Sequence, residues 1–134
     1  MKKFILLFIP FLLTGCFSSS LNGDLTTTCV KDEYSASITE NKKYTLYFKK
    51  GDIYKIIYED SFISNEKIDM SNAIKSYQKA YGNENGIVVK TSDNSITYEF
   101  SINDISDTIK KEFNINKDYN KQVKLLKESG FVCK

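Results

Sequence analysis

The sequence predicts an α+β fold, a single small domain in which an antiparallel β-sheet packs with two or three helices. Short runs rich in Thr, Val, Ile and Tyr are typical of strands, and turn residues separate them. After residue 69 the apolar spacing changes from alternation to the helical period. A chain of 134 residues accommodates one ordinary domain.

The first half of the domain predicts strands. Residues 43–49 alternate apolar and polar side chains, which is the pattern of a half-buried strand. The Lys-Gly-Asp sequence at 50–52 predicts a hairpin turn into a strand at 53–62. Two earlier strands are predicted at 26–31 and 34–39.

The second half predicts helices around another hairpin. A helix at 69–81 ends at Gly82, and its inward stripe comprises Met70, Ala73, Ile74, Tyr77, Ala80 and Tyr81. A hairpin at 87–91 and 95–101 follows. Asn103 or Asp104 caps a short helix that carries Ile105, Ile109 and Phe113. The last helix, at 118–129, directs Tyr119, Val123 and Leu126 inward and ends at Gly130.

The amino-terminal residues have the layout of a secretory signal peptide. Lys2 and Lys3 precede a ten-residue apolar run at 4–13, which is too short to span a bilayer comfortably. The sequence Leu-Thr-Gly-Cys ending at Cys16 resembles a bacterial lipobox, in which the Cys sulfur receives a diacylglycerol and becomes the first residue after cleavage. The alternatives are an ordinary signal with a chance Cys, or an uncleaved anchor.

This layout predicts the organisation and the location of the protein. Residues 1–15 are the lipoprotein signal peptide, residues 16–25 are the lipidated Cys and a flexible linker, and residues 26–134 are the domain. We expect an extracytoplasmic monomer that is attached to the outer leaflet of the cell membrane by a palmitate-type lipid anchor. The membrane is thus its first predicted partner.

Charge argues against nucleic acid as a partner. All 19 basic residues are lysines, and cleavage removes Lys2 and Lys3, so 17 lysines face 17 acids in the mature chain. A formally neutral domain has no electrostatic attraction to phosphates. The absence of Arg and His from the sequence also excludes catalytic triads that need His and bidentate Arg contacts.

Cys29 and Cys133 are predicted to form a disulfide. An export signal leads to an oxidising compartment, where an even pair of cysteines is typical of a disulfide bond. The bridge would place Cys29 on the first strand and Cys133 after the last helix, with a Cα separation of roughly 4.4–6.8 Å. Two buried free thiols or a redox pair are the alternatives.

Taken together, these motifs resemble the YehR-like small lipoproteins of low-GC Gram-positive bacteria. The resemblance lies in the lipobox, the Lys-Gly-Asp turn, the helix ending Lys-Ala-Tyr-Gly, the hairpin after it and the ending Leu-Leu-Lys-Glu-Ser-Gly-Phe. Clostridial members are similar in placing one Cys near the first strand and one in a final Gly-aromatic-x-Cys, which Cys29 and Cys133 match. The resemblance implies an antiparallel sheet with helices and an envelope address, and it implies no activity.

We predict no catalytic residue, no metal site and no cofactor. Glu59 and Asp60 are adjacent, so on a strand they point to opposite faces. Glu66 and Asp69 share a face at helix spacing, but acids near a helix N-terminus more often serve the macrodipole. The glycine-flanked turn at 82–86 lacks the ligand spacing of a calcium loop.

The nine tyrosines make binding the better hypothesis. On the predicted strand, Tyr54, Ile56 and Tyr58 share one face, while Ile53 and Ile57 share the other. A sheet that is apolar on both sides is either covered twice or presents an aromatic platform, so Tyr54 and Tyr58 are the candidate ligand-binding residues. The sequence identifies neither the small molecule nor the protein that would bind them.

The sequence therefore predicts a non-catalytic, lipid-anchored envelope protein that binds a partner protein or a small ligand. The alternative is an envelope- or wall-modifying hydrolase with a carboxylate site that sequence spacing does not reveal. A shallow Tyr-lined face favours binding, whereas a pocket with converging carboxylates favours the hydrolase.

The lipid anchor has a direct test. Cys16→Ser removes the sulfur that would carry the lipid, so we expect uncleaved precursor or unanchored protein and no incorporation of a fatty-acid analogue in metabolic labelling. Undiminished labelling of the Cys16→Ser variant would contradict the assignment.

Overall fold

The computed structural model describes residues 24–64 and 69–134, and it confirms the predicted α+β domain. Within these residues, six strands form one sheet in the order β4-β5-β3-β2-β1-β6, and every neighbouring pair is antiparallel. The strands are β1 (Leu25–Ser35), β2 (Ile38–Lys49), β3 (Asp52–Ser64), β4 (Ile87–Thr91), β5 (Ser95–Ser101) and β6 (Val132–Cys133). The helices are α1 (Ser71–Tyr81), α2 (Asp107–Glu112) and α3 (Tyr119–Glu128).

The strand register aligns side chains in rows across one face of the sheet. Successive side chains of a strand point to opposite faces, so each row consists of the residues that pair across neighbouring strands. The hydrophobic row, at the centre of the core, consists of Thr27, Leu46, Ile56, Phe100 and Ile87. The neighbouring aromatic row consists of Cys133, Cys29, Tyr44, Tyr58, Tyr98 and Val89.

The helices pack against this same face, which we call the covered face. Ile109 of α2, Leu126 of α3 and Ile115 between them join the hydrophobic row in one buried cluster. The segment from β5 through α2 and α3 crosses β3, β2 and β1 before it ends as β6 at the far edge of the sheet. The covered face therefore carries the core.

Contacts at the β2–β3 turn fix the start of α3. The Tyr119 ring stacks on Phe48 at a centroid distance of 3.9 Å, and its hydroxyl lies 2.8 Å from the Thr27 hydroxyl. Gln122, which is 1% exposed, accepts a hydrogen bond from the backbone N–H of Asn116. The Asp118 side chain caps the helix by accepting from the N–H of Lys121. This anchoring directs the chain across the sheet towards β6.

One predicted strand has wrong bounds. Residues 34–39 do not form a separate strand, because β1 continues to Ser35 and pairs there with Ile38 of β2. The reversal uses only Ala36 and Ser37, and Ala36 adopts a φ of 40°. Neither residue is a typical turn former at positive φ, so the sequence gives little sign of this turn.

A β-bulge corrects the predicted faces of β3. The register shifts between Tyr47 and Phe48, which pair with Lys55 and Ile53, so Tyr54 is the extra residue. Ile53 and Ile56 are both fully buried, although a regular strand would place them on opposite faces. The ring of Tyr54 lies beside that of Tyr47, whose side chain points away from the face of Leu46 and Tyr58, so Tyr54 does not share a face with Tyr58 as the sequence predicted.

The helices begin and face differently from the sequence prediction in two places. Ser106, rather than Asn103 or Asp104, caps α2 by accepting a hydrogen bond from the N–H of Ile109. In α1, only Ile74 of the predicted inward stripe is buried. Ala73 and Tyr77 are exposed because α1 does not lie closely on the sheet along this stripe.

Cys29 and Cys133 form a disulfide, with an S–S distance of 2.02 Å. Their Cα atoms are 3.9 Å apart, below the range that the sequence analysis predicted. The two residues are direct cross-strand partners, while Thr28 and Lys134 beside them exchange both backbone hydrogen bonds. Cys29 and Cys133 thus occupy a non-hydrogen-bonded position, where antiparallel strands approach most closely.

Several predictions concern residues outside the described part of the chain. These are the signal peptide at 1–15, lipidation at Cys16 and most of the linker. Among the described residues, none of the helices has the length and apolar character needed to cross a bilayer.

Removing the bridge tests its contribution to stability. The disulfide joins residues 104 positions apart, and loss of a native bridge in a small domain typically costs about 2–5 kcal/mol of unfolding free energy. We expect Cys29→Ala/Cys133→Ala, or chemical reduction, to lower the melting temperature. Val132→Ala alters the exposed neighbour and serves as the control. An unchanged melting temperature after reduction would contradict a stabilising role.

Candidate functional site

A cavity of about 410 Å³ lies between α1 and the covered face of the sheet. We call it the α1 cleft. The sheet contributes Tyr58, Asp60 and Phe62 from β3, with Glu40 beside them on β2. The helix contributes the other wall. The remaining lining residues are Met70, Ala73, Ile74, Tyr77, Tyr81, Ile96, Tyr98 and Phe113.

Stacked rings form the floor of the cleft. Tyr58 stacks on Tyr44 at a centroid distance of 4.5 Å, and Tyr98 lies parallel to Tyr58 at 6.2 Å. Tyr81 of α1 meets Tyr98 edge-to-face at 5.8 Å and Phe113 at 5.0 Å. These contacts give the aromatic row a rigid, largely dry surface, and burial raises the pKa of Tyr98 above the ordinary value.

Two residues further along each strand, on the same face, charged side chains take the place of the aromatic ones. In this charged row, Lys31, Lys42 and Asp60 lie side by side on β1, β2 and β3. Lys42 Nζ lies 2.7 Å from Glu33 and 3.2 Å from Glu40, so both its ion pairs are with other acids. Among the described residues, no ion pair reaches Asp60.

Asp60 has fewer hydrogen bonds than its carboxyl group can accept. Its Oδ2 accepts a hydrogen bond from the Tyr58 hydroxyl at 3.1 Å, whereas the buried Oδ1 has no hydrogen-bond partner among the described residues. Burial, followed by the adjacent Glu40 carboxyl, raises the pKa of Asp60 from 3.8 to about 6. The Glu40 carboxyl acts directly on Asp60, since a neighbouring negative charge disfavours the ionised form.

The two tyrosines predicted to bind a ligand, Tyr54 and Tyr58, lie in different parts of the structure. Tyr58 lines the α1 cleft, as that prediction requires. Tyr54 lies away from the cleft, beside Tyr47 at a centroid distance of 6.4 Å. The bulge separates them, so they do not form one aromatic platform.

The uncovered face of the sheet carries charges that are mostly paired with one another. Lys43 lies 2.5 Å from Glu59, and Lys55 lies 3.9 Å from Glu99. The Lys55 ammonium also lies 4.2 Å from the centre of the Tyr47 ring. A surface with such mutual compensation is stable in water, so the cleft is the stronger candidate site.

The carboxylate predictions are partly correct. Glu59 and Asp60 lie on opposite faces of β3, as their adjacency predicted, because Glu59 pairs with Lys43 on the uncovered face. Asp69 accepts a hydrogen bond from the Ser71 N–H at the start of α1, which is the expected helix-terminal role. Glu66, its predicted companion, lies outside the described residues.

Sequence reasoning missed Glu40 as the companion of Asp60. The two residues are twenty positions apart, and only strand pairing brings them together. The Lys-Gly-Asp turn predicted this pairing approximately, but the bulge shifts it by one residue. It also missed Tyr98 and Phe113, which reach the cleft through β5 and the end of α2.

The α1 cleft is better suited to a small organic molecule than to a metal ion. In the described ranges, three or more acidic or cysteine side chains nowhere converge in a way that would hold a metal. A cavity of about 410 Å³ is within the size range of small-molecule pockets. Its chemistry is a tyrosine-rich wall with two carboxyl groups at one end.

Comparisons with known proteins identify no family for this chain. The sequence matches no family model, and a search of curated proteins finds no relative. One solved structure, described as an NMR structure of the protein from Streptococcus pneumoniae TIGR4, is similar at 12% identity and a TM-score of 0.47. The match covers 100% of this chain and 96% of that one. The resemblance to YehR-like lipoproteins stays a prediction.

Asp60→Asn tests the electrostatic state of the cleft. Because the pKa of Asp60 is raised in the folded state, the native protein holds more protons than the unfolded chain between pH 4 and about 6, so Asp60 lowers stability as pH rises through this window. We expect Asp60→Asn to be more stable than the native chain at pH 7.5 by about 1 kcal/mol, after allowance for solvent screening at a half-exposed group.

The advantage of Asp60→Asn should disappear near pH 4, where the native carboxyl is protonated. Urea unfolding at both pH values measures it. Glu59→Gln makes the same change one residue away on the uncovered face and is the matched control. A difference that does not vary with pH would refute the raised pKa.

Proposed function

We propose that this protein is a non-catalytic, lipid-anchored envelope protein that binds a small ligand in the α1 cleft. The observation that carries the proposal is the placement of an undercompensated carboxyl, Asp60, among tyrosine rings in a cavity of ligand size. Buried groups with perturbed pKa values in a cleft are typical of functional sites. The extracytoplasmic address rests on the lipobox at Cys16.

The position of Asp60 makes a purely structural role costly. An acid with a raised pKa lowers stability at neutral pH, and an apolar residue at this point on the covered face would avoid that cost. A ligand that interacts with Asp60 would offset the cost in the bound state. The cleft thus has the chemistry of a site that is completed by another molecule.

A hydrolase is the second candidate, and the Glu40–Asp60 pair is the observation that favours it. The pKa of about 6 suits an acid or a base. However, Glu40 is in direct contact with Asp60, while the carboxyl pairs of glycosidases are separated by about 5 Å or more. The geometry therefore supports binding better than glycoside hydrolysis.

Two substitutions on α1 test the cleft as the binding site. Ala73 lines the cleft, whereas Ala80 lies on the same helix outside it, and both are exposed. We expect Ala73→Trp to occupy the cleft and weaken ligand binding at least about tenfold by steric competition. Ala80→Trp, with the same change in size, should bind like the native chain.

The measurement is saturation-transfer NMR on the full chain in detergent micelles, with a library of soluble amines, amino sugars, neutral sugars and wall peptides. Hits that persist in Ala73→Trp, or a library without hits, would contradict binding in the cleft. Mass spectrometry of the same mixtures detects conversion of a library member, which would instead support the hydrolase.

A further inference from the structure

We propose that the ligand of the α1 cleft is a small organic cation, with its ammonium group at the Glu40–Asp60 pair and its apolar part among the tyrosine rings. This inference rests on the proposed binding function and specifies the class of ligand. It uses three features of the cleft, which are the local charge, the chemistry of the aromatic wall and the number of carboxyl groups.

Among the described residues, the positive charge beside the Glu40–Asp60 pair is smaller than the negative charge that the two carboxyls can carry. Lys42 is the basic residue aligned with Asp60 in the charged row, but its ammonium contacts Glu33 and Glu40. The carboxyls of Glu40 and Asp60 therefore have one lysine between them, and that lysine is shared with Glu33. An ammonium group beside the pair would balance the second negative charge.

The aromatic wall offers apolar contact surface beside the carboxyl pair. The Tyr58 hydroxyl donates to Asp60, and the Tyr81 hydroxyl donates to Glu112 outside the cavity lining. The rings of Tyr58 and Tyr98 are themselves stacked on neighbouring rings, so the wall provides an apolar contact surface for the hydrocarbon part of a ligand. The carboxyl pair at its end then selects a ligand with a positive charge.

The number of carboxyl groups favours an organic cation over a metal ion. Among the described residues, Glu40 and Asp60 are the acids in the cavity lining, and a divalent ion in a protein usually needs more oxygen ligands than they supply. The cavity, at about 410 Å³, is also far larger than a metal ion and leaves room for an apolar chain or ring beside the ammonium group.

Matched probe pairs isolate the charge. Choline and 3,3-dimethyl-1-butanol have nearly the same shape but differ in the positive charge, and tyramine and 4-propylphenol form a second such pair. On the full chain in micelles at pH 7.5, calorimetric titration should show at least one cation binding roughly tenfold tighter than its neutral partner.

Asp60→Asn should remove most of this preference while preserving the shape of the cleft. Glu59→Gln, which makes the same change at the next residue on the uncovered face, should keep it. Circular dichroism confirms that both variants are folded.

The outcomes separate the two proposals. If neutral partners bind as tightly as the cations and Ala73→Trp abolishes both, the cleft binds ligands but the cation proposal is wrong. If neither cation binds, or if the preference survives Asp60→Asn, the cation proposal is also wrong. If cations bind equally well to Ala73→Trp, both the ligand class and the proposed site fail.

Discussion

The packing of all three helices on one face of the sheet is the constraint on which the rest of the structure depends. The rows of the covered face that lie under α2 and α3 are apolar, and the row beyond these helices is charged. Leu46, Ile56 and Phe100 are fully buried where α2 and α3 join the core. The same strands continue beyond these helices to Lys42 and Asp60. β2 and β3 extend beyond the part of the sheet that α2 and α3 cover. The same two strands therefore contribute to the core at one end and to the α1 cleft at the other.

The boundary between the aromatic and charged rows explains the properties of the cleft. Tyr58 and Asp60 are two residues apart on β3, so both point to the covered face. The first is stacked between Tyr44 and Tyr98, and the second is adjacent to Glu40 in surroundings dry enough to raise its pKa. The stacked rings stabilise the sheet and also limit the water available to Asp60. Stability and site chemistry therefore come from the same alternation of side chains.

Much of the fold follows from local sequence signals. The hairpin at β4 and β5, the last helix before Gly130 and the return of Cys133 to the first strand were all predicted with little error. Each has a strong signal, such as alternation, helical spacing or a glycine at the helix end, and Gly130 does adopt a φ of 90° there. The candidate site was predicted only in part, through Tyr58. Glu40 and Asp60 meet through pairing between strands, and the position of that pairing depends on a bulge that the hydrophobic pattern does not reveal.

The sequence by itself determined the α+β class, most of the strands and helices along the chain, and the cysteine pair suited to a bridge. These depend on side-chain periodicity and turn chemistry, which act over a few residues. Only the tertiary structure decided which tyrosine faces the cleft, which acid becomes the companion of Asp60, and how far α1 lies from the sheet. The physical reason is that one extra residue in a strand reverses the faces of all residues on one side of it, and its position is set by the packing of the whole sheet.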